Sequence, residues 1–316
     1  MARQLRIEYG GAFYHVTSRG NGKCAIFLSG DDRYFFLKCL RDACERFSCV
    51  IHVYCLMGNH YHLFIETPRG NLSGIMHLVN TSYSIYFNHK HAHCGHPFQG
   101  RYKAILVQAE EYARDLAAYI HLNPVRAGIT DSPESYPWSN YRDYLGIVQP
   151  PPWTTISFVL SFFGSKQAEA RRKYAEYVLW RQAQKLPSPL DKLSPSGILG
   201  TQDFIERVKN NLKATECVGR DRELPQLRKL KPKPRPELSA VLAVTEEFLG
   251  PTNRYVKKCA VFLSHKNTAY TLRELGVFYR TSISSISQIY QKMDKELRFN
   301  ESLSQAVQEI EKRLFG

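Results

Sequence analysis

The chain has 316 residues, 43% hydrophobic and 12% aromatic, which excludes a disordered or low-complexity protein and suits two or three folded domains. A formal charge of +14 and a pI near 9.4 point to an anionic partner, most often nucleic acid, over a basic surface that only aids solubility. No apolar run approaches the ~20 residues that span a bilayer, and MARQLRIEYGG lacks a signal-peptide core, so a cytoplasmic, nucleoid-associated protein without a membrane partner is expected.

Eight cysteines form no CxxC pair and several sit in apolar runs, the pattern of reduced thiols and not of a disulfide framework. Residues 11–18 (GAFYHVTS) alternate as a strand, and RGNGK turns. Asp31 and Asp32 are candidate caps for a helix through about Phe47, with Phe35, Leu37, Leu40, Ala43 and Phe47 near helical spacing. Residues 50–57 form a second strand, and Gly58-Asn59 turns tightly into a third that carries His60 and His62. Asn71 or Ser73 opens a second helix to about His89, residues 102–108 give a fourth strand, and Glu110 and Glu111 begin a third helix.

A β-α-β-β-α-β order folds as an α+β, ferredoxin-like antiparallel sheet with both helices on one face, leaving the opposite face free for ligands. In the third strand His60 and His62 project to one face, while Tyr61, Leu63 and Ile65 point to the packed one. Two adjacent imidazoles can hold a divalent ion if a third ligand arrives. The stretch AAYIHLNPVRAG offers one, because Tyr119 and Asn123 are four apart on a helix face. Pro124 pushes the residue before it away from helical dihedrals, so Asn123 is expected at a kink or helix end. Each residue also has a plainer reading. His-x-His pairs occur often by chance, Tyr119 alone would be a core aromatic, and Asn123 belongs to an Asn-Pro turn.

A tyrosine beside a metal site on a basic protein points to phosphoryl transfer through a phosphotyrosine. The phenol's ordinary pKa near ~10 calls for a nearby cation or base. A divalent ion would polarise the phosphate, and attack would give a 5′-phosphotyrosine and a free 3′-hydroxyl with no need for ATP. Arg101 and Lys103, two apart in a strand, and Arg126 are candidate phosphate contacts, or else a solvated face. Tyr83, Tyr86 and Phe87 could stack on bases, although core packing is the more ordinary role. The cluster His89, His91, His93, Cys94 and His96 fits no zinc ribbon or finger and reads better as a basic loop facing DNA.

GIVQPPPW marks a linker. Residues 153–216 read as helical and carry no recognisable chemistry, with Ser165 a candidate cap. RKLKPKPRP (228–236) is a basic tether with incidental phosphate contact. The expected domains are therefore 1–148, 149–237 and 238–316. In the last, a short helix from about Leu272, a polar break at 280–282 and a helix from about Ser284 fit a helix-turn-helix or an ordinary helical hairpin.

GNHYHLFIE, FQGRYKA, YIHLNPVRAG, WSNYRDYLG and the opening FYHVTSRGN occur in one register over residues 3–146. Together they resemble the single-tyrosine HUH transposases, and within them the REP-associated tyrosine transposases. The resemblance implies a ferredoxin-like nuclease domain that cuts and rejoins single-stranded DNA at hairpin-forming palindromes, with Mg²⁺ or Mn²⁺. It places Tyr119 as nucleophile, His60 and His62 as metal ligands, and Asn123 as the residue completing the metal site. The loop 88–96 departs from the family, where more arginine is expected. Residues 254–297 resemble the helix-turn-helix of the replication initiator DnaA, which would set Ser284, Ser285 and Gln288 in the major groove of duplex DNA. A homodimer is compatible with this reading. Two alternatives stay open: a catalytically idle DNA-binding regulator that keeps the fold, and an RRM-like RNA binder with stacking aromatics on its central strands.

Overall fold

The computed structural model describes residues 7–216, 228–229, 236–268, 270 and 272–315, so most of the basic, proline-rich stretch lies outside the described residues. Strands β1 (Ile7–Glu8) and β2 (Ala12–Arg19) lead into α1 (Gly30–Phe47), the hairpin β3 (Val50–Leu56) and β4 (His60–Thr67), and α2 (Leu72–Lys90). Next come β5 (Lys103–Val107), α3 (Ala109–Arg126), α4 (Tyr141–Leu145), α5 (Ser157–Leu160), α6 (Gln167–Ala183), β6 (Ile198–Leu199), α7 (Gln202–Glu216) and β7 (Arg228–Lys229). The helices α8 (Leu238–Leu249), α9 (Val256–Asn267), α10 (Leu272–Phe278), α11 (Ile283–Phe299) and α12 (Glu301–Phe315) follow.

The main sheet runs β3-β4-β2-β5-β6. Its first four strands are antiparallel in the ferredoxin-like order, and β6 adds a short parallel edge beside β5. Helix α1 starts one turn earlier than the aspartates suggest. Ser29 is its N-cap, and Asp32 at the third position accepts from the Ser29 backbone N–H, closing a capping box. Phe36, Cys39, Leu40 and Ala43 on α1, and Leu72, Ile75, Met76, Val79, Tyr83 and Phe87 on α2, repeat at three and four residues and are all buried. They cover the sheet face that carries Tyr61, Leu63 and Ile65. Each fully buried aliphatic or aromatic side chain contributes roughly 1.5–3 kcal/mol, so a charge at Ile75 would split this layer. Tyr83 and Phe87 are core residues, which removes them as base-stacking candidates.

The opposite face is covered as well, contrary to the expectation of an open one. Phe13, Val53, Cys55, Phe64 and Val107 pack there with α3, with Phe158, Val159 and Leu160 of α5, and with Tyr174 and Val178 of α6. The same core takes in Leu238, Ala260, Val261, Leu272, Leu275, Tyr279 and Ile286 from the C-terminal helices, and His265 lies 3.6 Å from Glu110 of α3. Residues beyond 148 thus finish the sheet's second layer. The C-terminal helices also hold a core of their own around Val241, Phe262, Leu263, Met293, Val307 and Ile310.

The edge strand β3 is capped by the WSNY segment. Leu56 N–H donates to the Trp138 carbonyl, and Tyr54 N–H donates to Asn140 Oδ1 at 2.9 Å. Asn140 Nδ2 donates to the His52 carbonyl, and its Oδ1 also accepts from His121 Nε2 at 3.1 Å. That fixes the neutral tautomer of His121, whose Nδ1 accepts from Tyr174 Oη at 2.6 Å. A buried polar network therefore ties the middle of α3 to β3 and α6.

Candidate active site

Strand register decides which side chains meet. Across β4 and β2, His60 faces Arg19, His62 faces Thr17 and Phe64 faces His15, while Thr17 faces Lys103 of β5. Cross-strand partners share a face, so His60, His62, His15, Thr17, Arg19 and Lys103 all belong to one side of the sheet. The two candidate imidazole ligands are neighbours, with ring centroids 5.0 Å apart. They do not stand on an exposed surface: His62 is 7% exposed, and only His60, at the strand end, is half-buried.

The tautomer of His60 follows from its partner. Asn59 Nδ2 donates to the Lys23 carbonyl, so its Oδ1 faces His60 and accepts from Nδ1–H at 2.6 Å, which leaves His60 Nε2 with a bare lone pair. The turn is held by Gly20, whose N–H donates to the Asn59 carbonyl. A Cβ at Gly20 would lie 2.0 Å from the Cys24 carbonyl oxygen, so this position requires glycine.

His62 Nδ1 lies 2.9 Å from His15 Nε2, and His62 Nε2 is buried with no hydrogen-bond partner. Burial lowers the pKa of His62 well below the ordinary histidine value, with His15 and His60 adding to the shift. His60 is lowered by burial and by the Arg19 guanidinium. Both imidazoles are therefore neutral at pH 7, the state that ligates metal.

Tyr119 reaches this pair from α3. Its ring centroid is 6.2 Å from that of His62 and 6.4 Å from that of His15, edge-on to both. Arg126, seven residues or about two turns on, lies over the Tyr119 ring at 5.3 Å and donates to the Leu186 carbonyl. That placement makes Arg126 a clamp on the phenol.

Asn123 is not at a helix end. Helix α3 continues through Pro124 to Arg126. Proline lacks the N–H that would reach the Ile120 carbonyl, and Asn123 Nδ2 supplies a donor there at 3.4 Å while donating to the Tyr119 carbonyl at 3.0 Å. With the amide nitrogen so engaged, Oδ1 is the atom of Asn123 suited to a cation.

The donor set fits a divalent ion in its chemistry: the bare Nε2 of neutral His60, the buried and unpartnered Nε2 of neutral His62, and an amide oxygen on α3. Among the described residues no group of three or more His, Cys, Asp or Glu could hold a metal, so a third protein ligand would be an oxygen of another kind, and the Asn123 amide is the candidate. In the 88–96 loop His91 turns to Asp32 and His93 to Asn88, toward different partners.

Of the other expected contacts, Lys103 is exposed on the site face, whereas Arg101 precedes β5 in the loop, so strand alternation does not place it. Sequence reasoning missed Arg19 and His15. The alternation in FYHVTSR puts His15, Thr17 and Arg19 on one side, and pairing with HYHLF is the signal that would have found them. In the C-terminal region α10 and α11 are joined by a short turn at the expected place. Ser282 caps α11 through Ser285 N–H, and the Ser285 hydroxyl bonds to it, so Ser285 serves that cap. Gln288 is half-buried, the Ser284 side chain lies outside the described residues, and Lys292 and Lys295 are exposed along the same helix.

A sheet presenting two adjacent neutral imidazoles to a helix-borne phenol is an arrangement suited to phosphoryl-transfer chemistry. Residues 11–123, about a third of the chain, match the model of the family described as Transposase IS200 like. This bears out the N-terminal resemblance over that segment. Among solved structures the chain is similar to a REP-associated tyrosine transposase bound to a REP hairpin, with 15% identity, a TM-score of 0.41, and coverage of 49% of this chain and 92% of that one. No curated protein sequence matches the chain. Among the described residues no helix is long and apolar enough to cross a membrane.

Proposed function

We propose that this chain is a DNA transposase that cuts and rejoins single-stranded DNA at hairpin-forming palindromes through a 5′-phosphotyrosine. The observation that carries the reading is the approach of Tyr119 to His62 within one chain, inside a segment matched by the IS200-like transposase family. The Tyr119 hydroxyl gives up its proton as its oxygen attacks the scissile phosphorus, the P–O3′ bond breaks, and the released 3′ oxygen takes up a proton. Rejoining reverses the step, with a 3′-hydroxyl displacing the tyrosine oxygen, so no external energy source is needed.

His60, His62 and Asn123 Oδ1 would hold the divalent ion, which when bound neutralises phosphate charge. A two-imidazole set suits Mn²⁺ better than Mg²⁺, which prefers oxygen ligands. Arg126 holds the phenol ring in place, while Arg19, beside His60, and Lys103, beside Thr17 on the next strand, position the strand by its phosphates. Duplex binding by α10 and α11 is supported by the short turn between them and by the exposed lysines of α11.

The test is a denaturing gel that detects covalent protein–DNA product from palindromic single strands, with and without EDTA. An adduct that needs divalent metal and Tyr119 supports the transposase. A protein that binds hairpins yet yields no adduct with any of them, metal present, would be the idle regulator.

A further inference from the structure

We infer that His15 is a positioning residue that fixes the ring plane and tautomer of His62, so that His62 Nε2 is presented to a divalent cation. This rests on the reading of His62 as a metal ligand and goes beyond it, because it gives a task to His15, whose Nε2 is engaged with His62.

The geometry is that of an in-plane hydrogen bond. His15 and His62 are nearly coplanar, at 5°, with nitrogens 2.9 Å apart and centroids 5.2 Å apart. Two rings joined nitrogen to nitrogen in one plane give that combination, whereas rings stacked face to face would hold their nitrogens farther apart. Both residues are buried, His15 at 2% and His62 at 7%. Each has its other ring nitrogen, His15 Nδ1 and His62 Nε2, buried without a partner.

A single proton lies between two neutral rings, so two arrangements exist. If His15 donates, His62 carries its own proton on Nε2 and cannot ligate through that atom. If His62 donates from Nδ1, its Nε2 lone pair is bare, and the bond to His15 makes it a stronger ligand. Each arrangement leaves one buried N–H and one buried lone pair unmet, so hydrogen bonding alone does not choose between them. A cation at His62 Nε2 selects the second. Neighbours that orient a ligating histidine through its other nitrogen recur in metal sites, commonly as carboxylates or carbonyls. Here the same task falls to an imidazole two residues from Phe13 and Thr17 on the adjoining strand.

The experiment uses the full chain and Mn²⁺ itself as probe, followed by calorimetry. His15→Phe keeps a flat ring but removes the acceptor, and it should weaken Mn²⁺ binding roughly 10–100-fold while leaving hairpin-DNA binding in EDTA unchanged. His15→Gln can return an acceptor oxygen to about the same place and should recover most of the affinity. Unchanged Mn²⁺ affinity in His15→Phe, or no recovery in His15→Gln, overturns the inference. His62→Ala separates the two levels: if it too binds Mn²⁺ like the unmodified protein, the ligand assignment has failed and the role of His15 falls with it. Nitrogen NMR of histidine-labelled protein with Mg²⁺ reads the tautomer without any substitution. His62 protonated at Nδ1 is expected, and protonation at Nε2 overturns the inference.

Discussion

His62 and Tyr119 stand 57 positions apart in sequence, yet their rings lie 6.2 Å apart at 87°. Neither is free to drift. His62 is held in a central strand with its ring bonded to His15, and Tyr119 is held between the imidazoles and Arg126. Replacing Tyr119 by Phe should keep that packing, so the variant should bind hairpin DNA like the unmodified protein and form no covalent adduct. Adduct formation by Tyr119→Phe would remove Tyr119 as nucleophile.

The polar network behind α3 gives a stability prediction. Asn140 is fully buried and satisfies Tyr54 N–H, His121 Nε2–H and the His52 carbonyl. Asn140→Ala orphans the Tyr54 and His121 N–H groups, while the His52 carbonyl keeps the Tyr144 hydroxyl; at about 1–3 kcal/mol for each orphan before relaxation, a loss of several kcal/mol is expected. Urea unfolding measures it, and a loss below that of an ordinary surface substitution would contradict the network's role.

Two aspartates predict opposite pH behaviour. Burial raises the Asp143 carboxyl, the Arg171 guanidinium offsets this only in part, and the pKa settles at about 6. Because the folded value lies above the unfolded one, a stability cost builds up as pH rises from the ordinary carboxylate value through about 6. Asp143→Asn should therefore be about 1–2 kcal/mol more stable than the unmodified protein at pH 7.5 and gain nothing in acid.

Burial alone would raise Asp32 too, but hydrogen bonds from Lys90, His91 and the Leu28 and Ser29 amides outweigh it and hold the carboxyl well below its usual range. That stabilisation is complete above the unfolded value and is lost as pH falls below it. Asp32→Asn should lower stability at pH 7 by about 2 kcal/mol and flatten the acid limb of the unfolding curve. Melting curves across pH 3–8 would test both aspartates.

Removing residues 238–316 should destabilise the remainder, since Ala260, Val261, Leu275 and Ile286 complete the core over Phe13, Phe64 and α3. If a 1–237 fragment melted like the full chain, that shared core would be energetically idle.

Hairpin-DNA binding should fall with salt in proportion to the phosphates neutralised, and Arg19→Ala or Lys103→Ala should each reduce the slope of log K against log salt by about 1. An unchanged slope would mean that these side chains do not touch phosphate.

The local elements were readable because their determinants are local. The hairpin turn at Gly58-Asn59, the three- and four-residue repeats of α1 and α2, and the order of strands and helices all follow from neighbouring residues. The second layer was not, because it is assembled from Phe158, Val261 and Ile286, which carry no motif and meet only through chain topology. His15 and Arg19 needed strand register, which pairing fixes and composition does not. The helix does not end before Pro124, and a specific contact accompanies this: the Asn123 side chain offers the Ile120 carbonyl the donor that proline lacks.

Exposure along the shared sheet side falls from Arg19 and Lys103, through half-covered His60, to His62 and then His15. Among the described residues helices pack on both faces of the sheet, and the exposed rim of this side lies at the strand termini. A phosphate drawn to the pair His62 and Tyr119 would therefore meet the cations Arg19 and Lys103 first and the neutral imidazoles last, so charge falls away along the path while burial grows.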